Sequence, residues 1–242
     1  MEYERKAYDE LLQWQREIRK KGSLLNRISK QAQNKMSQLI PEKAQNVITE
    51  AVKKMVTAVL SGSNLLFTND FPKTYSLEEK EALIKEQLDK YRKAATVEGA
   101  GTGAGGILLG LADFPLLLSI KLKFLYDVAK IYHYPLDQYE ERLFLLMVFQ
   151  LAFSSDEKRI ETLEIIENWD REKERLVDLD WQTFQQEYRD HIDFVKMLQM
   201  VPGIGAAVGA YANYKLLDRL GETAIFSYRM RYFNNLKNIR VE

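Results

Sequence analysis

The residues that most invite a chemical reading are glycines. The run GAGTGAGGILLGLADFP spans residues 99–115, and within it Gly101, Gly103 and Gly106 satisfy the dinucleotide pattern G-x-G-x-x-G. An acid, Asp127, follows at about the spacing at which such folds hold a ribose hydroxyl. That pattern binds a pyrophosphate only when a buried strand leads into it and a helix leads out. Here the preceding residues, KEQLDKYRKAAT, read as a polar helix, and no parallel sheet is available. The nucleotide reading is therefore rejected. A P-loop fails as well, because Ile107 stands where a lysine is required.

On a helix, Gly99, Gly103, Gly106 and Gly110 fall on one side at steps of four, three and four. Gly205 and Gly209 repeat the spacing, and Asn213 extends the row. Rows of small residues let a second helix approach closely. Each glycine costs a helix about 1 kcal/mol relative to alanine, so the rows need a packing or functional reason. Both segments are too short and too weakly apolar to be read as spanning helices, which need about 20 apolar residues.

Asp113 interrupts the first apolar run just before Pro115. A carboxylate there is paired, hydrated or protonated. One reading has it cap the helix that begins near Pro115. The other has it line a polar pocket between the glycine segments with Lys121 and Asn213. Other chemistry is not found. Of the two histidines, His191 lies four residues from Glu187, a spacing typical of a surface ion pair, and no H-E-x-x-H occurs, so no metal site is assigned. Ser61 and Ser63 flank Gly62 in a loop that follows a helix, not a strand, so they form no nucleophile elbow. No cysteine is present, which excludes disulfides and thiolate chemistry and suits a reducing cytosol. No catalytic residue and no cofactor are assigned, and the chain leans away from being an enzyme.

The elements that must position these residues are helices throughout. Tyr3, Ala7, Leu11, Trp14 and Ile18 make one apolar stripe, which Gly22 and Ser23 are expected to end. A second stripe runs from Leu24 to Leu39, and a third from Ala44 to Val59, closed by Ser61-Gly62. Ser76 and Glu79 fit a capping box at the head of the next helix. Apolar helices follow over 116–132 and 136–153. An acidic helix is expected from Ser155-Asp156 to Leu176, another over 181–200, and a last one over 222–237. No segment alternates with a period of two. With no linker, the expected fold is all-α: a single multi-helix domain built on a central pair of closely packed glycine-rich helices. Residues 1–40 read as basic amphipathic N-terminal helices and 41–242 as the main helical domain.

The 35 basic and 35 acidic residues balance, which argues against nucleic acid as a partner. They are not evenly spread. Residues 16–35 hold seven cations, Arg16, Arg19, Lys20, Lys21, Arg27, Lys30 and Lys35, against the single acid Glu17, whereas 156–190 hold twelve acids against six bases. A basic amphipathic front of this kind can lie on an anionic membrane. The charged amino terminus lacks the apolar core of a signal peptide. The Tyr228-Arg229-Met230-Arg231-Tyr232-Phe233 stretch has interfacial character, though its aromatics suit a core equally.

The glycine run leading into Leu111-Ala112-Asp113-Phe114-Pro115, the segment Lys121–Tyr126, the Glu140/Arg142 pair, the Val201-Pro202-Gly203-Ile204-Gly205 run ending at Asn213-Tyr214, and residues 228–232 together resemble the EcsC family over about residues 40–235. The resemblance implies a bacterial protein encoded beside the Ecs ABC transporter, whose subunits are linked to secretion and intramembrane proteolysis. It supplies a setting and not a reaction. The expectation is a cytoplasmic, non-enzymatic protein held peripherally on the inner face of the membrane, with lipids or Ecs-type transporter subunits as partners. The alternative is a hydrolase or a small-ligand or lipid-binding protein with its pocket around Asp113 and Asn213.

Overall fold

A computed structural model describes residues 2–25, 42–62, 71, 75–102, 114–154, 156–178 and 206–241. These residues form eight α-helices and no β-strand, joined by one hydrophobic core to which every helix contributes. The chain is an all-α domain.

Helix α1 (Glu2–Leu25) buries the predicted stripe: Ala7, Leu11, Trp14 and Ile18 all face the core. It runs through Gly22 and Ser23, where the sequence led us to expect a break. One glycine costs a helix about 1 kcal/mol, too little to end it without a left-handed cap or a proline. Helix α2 (Glu42–Leu60) does end as expected. Gly62 adopts φ +69°, its N–H donates to the Val59 carbonyl at 3.1 Å, and the Arg142 guanidinium lies against it and donates to the Leu60 carbonyl at 3.2 Å. Helix α3 (Leu77–Thr102) opens on the capping box. The Ser76 N–H donates to Glu79 Oε2 at 2.8 Å and the Glu79 N–H donates to Ser76 Oγ at 3.3 Å. These hydrogen bonds hold the Glu79 carboxyl below its usual pKa.

Helix α4 (Phe114–Ile131), with Pro115 in its first turn, and helix α5 (Tyr139–Phe153) are the most enclosed elements, buried on nearly every side. The acidic segment forms two helices instead of one. Helix α6 (Asp156–Glu167) stops at Asn168, whose carbonyl accepts the N–H groups of both Arg171 and Glu172 as α7 (Trp169–Asp178) begins. Helix α8 (Ala206–Val241) is far longer than the expected 222–237, at 36 residues or about 54 Å.

Helix α8 is the spine. It packs antiparallel to α3: Arg229 meets Glu81, Gly221 meets Leu88, and Arg92 bonds Asp218 and lies over the Tyr214 ring. Antiparallel contacts also join it to α1, through Trp14 stacked on Phe226 and Tyr8 on Phe233, and to α5, through Arg231–Glu141 and Tyr228–Phe144. The Tyr228–Arg231 stretch is core, not interface: Tyr228, Arg229 and Met230 are all buried. Thus α3 and α8, which carry the near ends of the two glycine segments, pack on each other, while α4 and α5 fill the centre.

Candidate functional site

The groove between α2 and α4 combines exposure with an apolar lining. On α2, residues 47, 51, 55 and 58 share one face at helical steps, so Val47, Ala51, Met55 and Ala58 form one wall. Pro115, Leu118 and Leu122 form the other, at the same spacing on α4. Asn46, Glu50 and Lys54 stand four residues apart along the outer edge of α2. The enclosed volume is about 520 Å³. Two large apolar side chains at these helices remain in solvent, Leu116 at 45% exposure and Val47 at 38%. The chain enters the head of α4 directly from the first glycine run, so groove and glycine run adjoin in sequence.

Lys121 projects from the same helix in a different direction and is fully buried. Desolvation pushes its ammonium pKa down to about 7. Asp127, two turns further on, is buried as well and accepts from the Tyr91 hydroxyl at 2.8 Å. That hydrogen bond, within a helix and far from any sheet, agrees with the rejected ribose role. Of the pocket expected from sequence, Asp113 lies outside the described residues and Asn213 lies in the first half of α8. Among the glycines, Gly99 belongs to α3 and Gly209 to α8, whereas Gly103, Gly106, Gly110 and Gly205 lie outside the described residues, as do His191, Glu187 and the helix expected over 181–200.

Of the basic residues, Arg16 and Lys20 are exposed on α1, and Lys21 lies in the same helix. Arg19 is tied to the acidic middle of the chain, donating to both carboxylate oxygens of Glu167 at 2.7 and 2.5 Å. Arg27, Lys30 and Lys35 lie outside the described residues. Ser61 donates to the Ala58 carbonyl at 3.1 Å and takes part in the helix end, not in an elbow.

The profile of the EcsC protein family matches residues 5–233. The chain belongs to the EcsC family. It is 51% identical over 222 residues to Protein EcsC of Bacillus subtilis (strain 168), covering 92% of this chain and 93% of that protein. It is also 33% identical over 153 residues to the uncharacterized protein YdbA of the same organism, covering 61% of this chain and 56% of that protein. No solved structure matches. No helix among the described residues of this EcsC-family chain is long and apolar enough to cross a membrane.

The EcsC match takes in most of α1, and the contacts that fasten α1 are ones that sequence reasoning missed. Glu81 is fully buried and receives a bidentate pair from Arg229, both bonds at 2.5 Å. Arg229 also donates to Glu10 at 2.9 Å, and Tyr3 donates to Glu81 at 2.7 Å. Burial and the neighbouring Glu81 carboxylate push the Tyr3 phenol up to about 12. A second fork joins Arg231 to Glu141 at 2.5 and 2.7 Å, with the guanidinium 3.7 Å from the Tyr134 ring centre and 4.5 Å from that of Phe144. Below it a cavity of about 210 Å³ is bounded by Trp169, Asn234 and Asn235. The only sequence signal for either fork was two arginines one residue apart in an aromatic helix. Gly221 was missed too, although it continues the four-step row of Gly205, Gly209 and Asn213 by two more turns.

Proposed function

We propose that this EcsC-family chain is a non-enzymatic protein that works on the inner face of a membrane, held there peripherally and not by a spanning helix. One observation carries the reading: the apolar groove between α2 and α4, with Leu116 and Val47 left in solvent beside it. Exposed apolar surface next to a groove marks an interaction site. The glycine runs adjoin it in sequence at the head of α4, and the exposed cations Arg16 and Lys20 add attraction to anionic lipid, each worth about 1 kcal/mol near the surface. An Ecs-type ABC transporter is the membrane partner that the family resemblance implies. The second reading, a ligand pocket around Asp113, Lys121 and Asn213, is favoured by the fully buried Lys121 amine.

The test is flotation of the purified chain with vesicles of phosphatidylcholine and phosphatidylglycerol. The protein is expected to rise with the vesicles at low salt, and Leu116→Asp to leave most of it at the bottom while its circular dichroism stays unchanged. A wild-type chain that stays at the bottom at low salt sinks the membrane reading.

A further inference from the structure

We infer that the groove between α2 and α4 takes one acyl chain of an anionic membrane lipid, with the headgroup held outside at the Lys54 edge. The inference rests on the membrane-surface reading and goes beyond it: the chain does not merely touch the leaflet but accommodates a single lipid tail.

The polar and apolar groups of the groove are sorted in a way that fits a lipid and not a polar metabolite. Its walls, Val47, Ala51, Met55, Leu118 and Leu122, present carbon and the soft thioether of Met55. The hydroxyl on the α4 wall, Ser119, already donates to the Pro115 carbonyl at 2.8 Å. Small-molecule sites usually place a few polar groups inside to fix orientation. Here the charged groups stand instead along the outer edge of α2, where Glu50 and Lys54 lie 3.9 Å apart and Lys54 is 77% exposed. An apolar interior with its charges along one edge suits a molecule with a long tail and a polar head.

Size separates a lipid tail from a partner helix. The lined part of α2, from residue 46 to 58, is about 18 Å long at 1.5 Å per residue. A helix about 10 Å across and of that length fills about 1,400 Å³. The groove encloses about 520 Å³, far less, and has the proportions of a slot. A linear hydrocarbon chain is the slimmer occupant. The interior of a leaflet is itself apolar, so a tail gains little by moving into the groove. Exchange therefore runs in both directions, and the headgroup contact at Lys54 biases it toward anionic lipid.

The full chain is incubated with vesicles of phosphatidylcholine and phosphatidylglycerol in a ratio of about three to one, anionic enough to give a negative surface. The vesicles are then removed by centrifugation and the supernatant is read by native mass spectrometry. The expected species is one phosphatidylglycerol per chain. Ala58→Trp, which fills the half-buried wall, is expected to lower the loaded fraction by about tenfold. Lys54→Glu, at an exposed position, is expected to reduce the preference for phosphatidylglycerol over phosphatidylcholine. Val47→Asp, also exposed, puts a charge in the slot and keeps the test decisive if the tryptophan variant does not fold. Wild-type protein that floats with vesicles yet leaves the supernatant lipid-free overturns the acyl-chain inference and leaves the membrane reading standing. Loading by the Ala58→Trp and Val47→Asp variants equal to wild type overturns it too. Loading without flotation supports the groove and removes the surface reading.

Discussion

Glu81 and Arg229 lie almost entirely out of water, and each answers the other's charge. The bidentate geometry, with Tyr3 and Glu10 completing the network, offsets the desolvation of both ions. Removing one partner leaves a buried charge without its counter-ion, at a cost of about 3–5 kcal/mol. Glu81→Gln is therefore expected to lower the urea midpoint sharply, with little change in slope. A midpoint within experimental error of wild type would show the pair to be dispensable. Lys121 makes the opposite case, because burial works against its charge. Its pKa of about 7 stands well below the ordinary lysine value near 10.4. Between these values the unfolded chain holds a proton that the folded chain does not. The contribution of Lys121 to stability is thus least favourable below about pH 7 and improves as pH rises toward about 10. Relative to Lys121→Met, the wild-type chain is expected to gain stability across that range in denaturant titrations. A difference that stays flat from pH 7 to 10 refutes this.

Helix pairing turns on close approaches, and the clearest among the described residues is Gly221 against Leu88. A Cβ at 221 would sit 2.5 Å from one Leu88 methyl and 3.1 Å from the other. Those methyls are the far end of a flexible side chain, so a small intrusion can be absorbed by rotation. Gly221→Ala is expected to be nearly neutral, since the clash is offset by about 1 kcal/mol of helix propensity. Gly221→Leu is expected to cost about 1–3 kcal/mol, because its volume forces α3 and α8 apart. Thermal unfolding of the two variants checks this, and equal melting temperatures for alanine and leucine would mean that α3 and α8 are not closely apposed there. The same pairing brings Arg92 to Asp218 and Tyr214, one turn from Asn213 on α8.

At the scale of the molecule, the basic front and the acidic middle are partly one structure. Arg19 is bonded to Glu167, with Gln15 donating to the same carboxylate at 2.7 Å. This pairing takes one cation of the amino-terminal segment away from any membrane, so the electrostatic part of vesicle binding is modest. The apolar contact around Leu116 carries most of the proposed association. Flotation is accordingly expected to weaken, not vanish, when salt is raised until the Debye length is about 3 Å, near 1 M. Complete loss of flotation at that salt would shift the contact from the groove to the charged residues of α1.

Local chemistry made much of this protein legible from its sequence. The apolar period that buries Ala7, Leu11, Trp14 and Ile18, the Ser76/Glu79 capping box and the stop at Gly62 each depend on residues within a turn or two of one another. Helix ends were less legible. The run through Gly22, the break at Asn168 and the length of α8 reflect packing against neighbours, which overrides the small costs of individual residues. The charges that stabilise the core were hidden for a related reason: Glu81 and Arg229 are 148 residues apart, and nothing near either one announces its partner. The groove was out of reach in the same way, since α2 and α4 read separately as ordinary core stripes and only their packing leaves a slot between them. The glycine runs, where the chemical reading began, set helix type and family membership. Which charges are buried and where apolar surface stays open were decided by tertiary structure, because burial is a property of what packs against a residue and not of the residue itself.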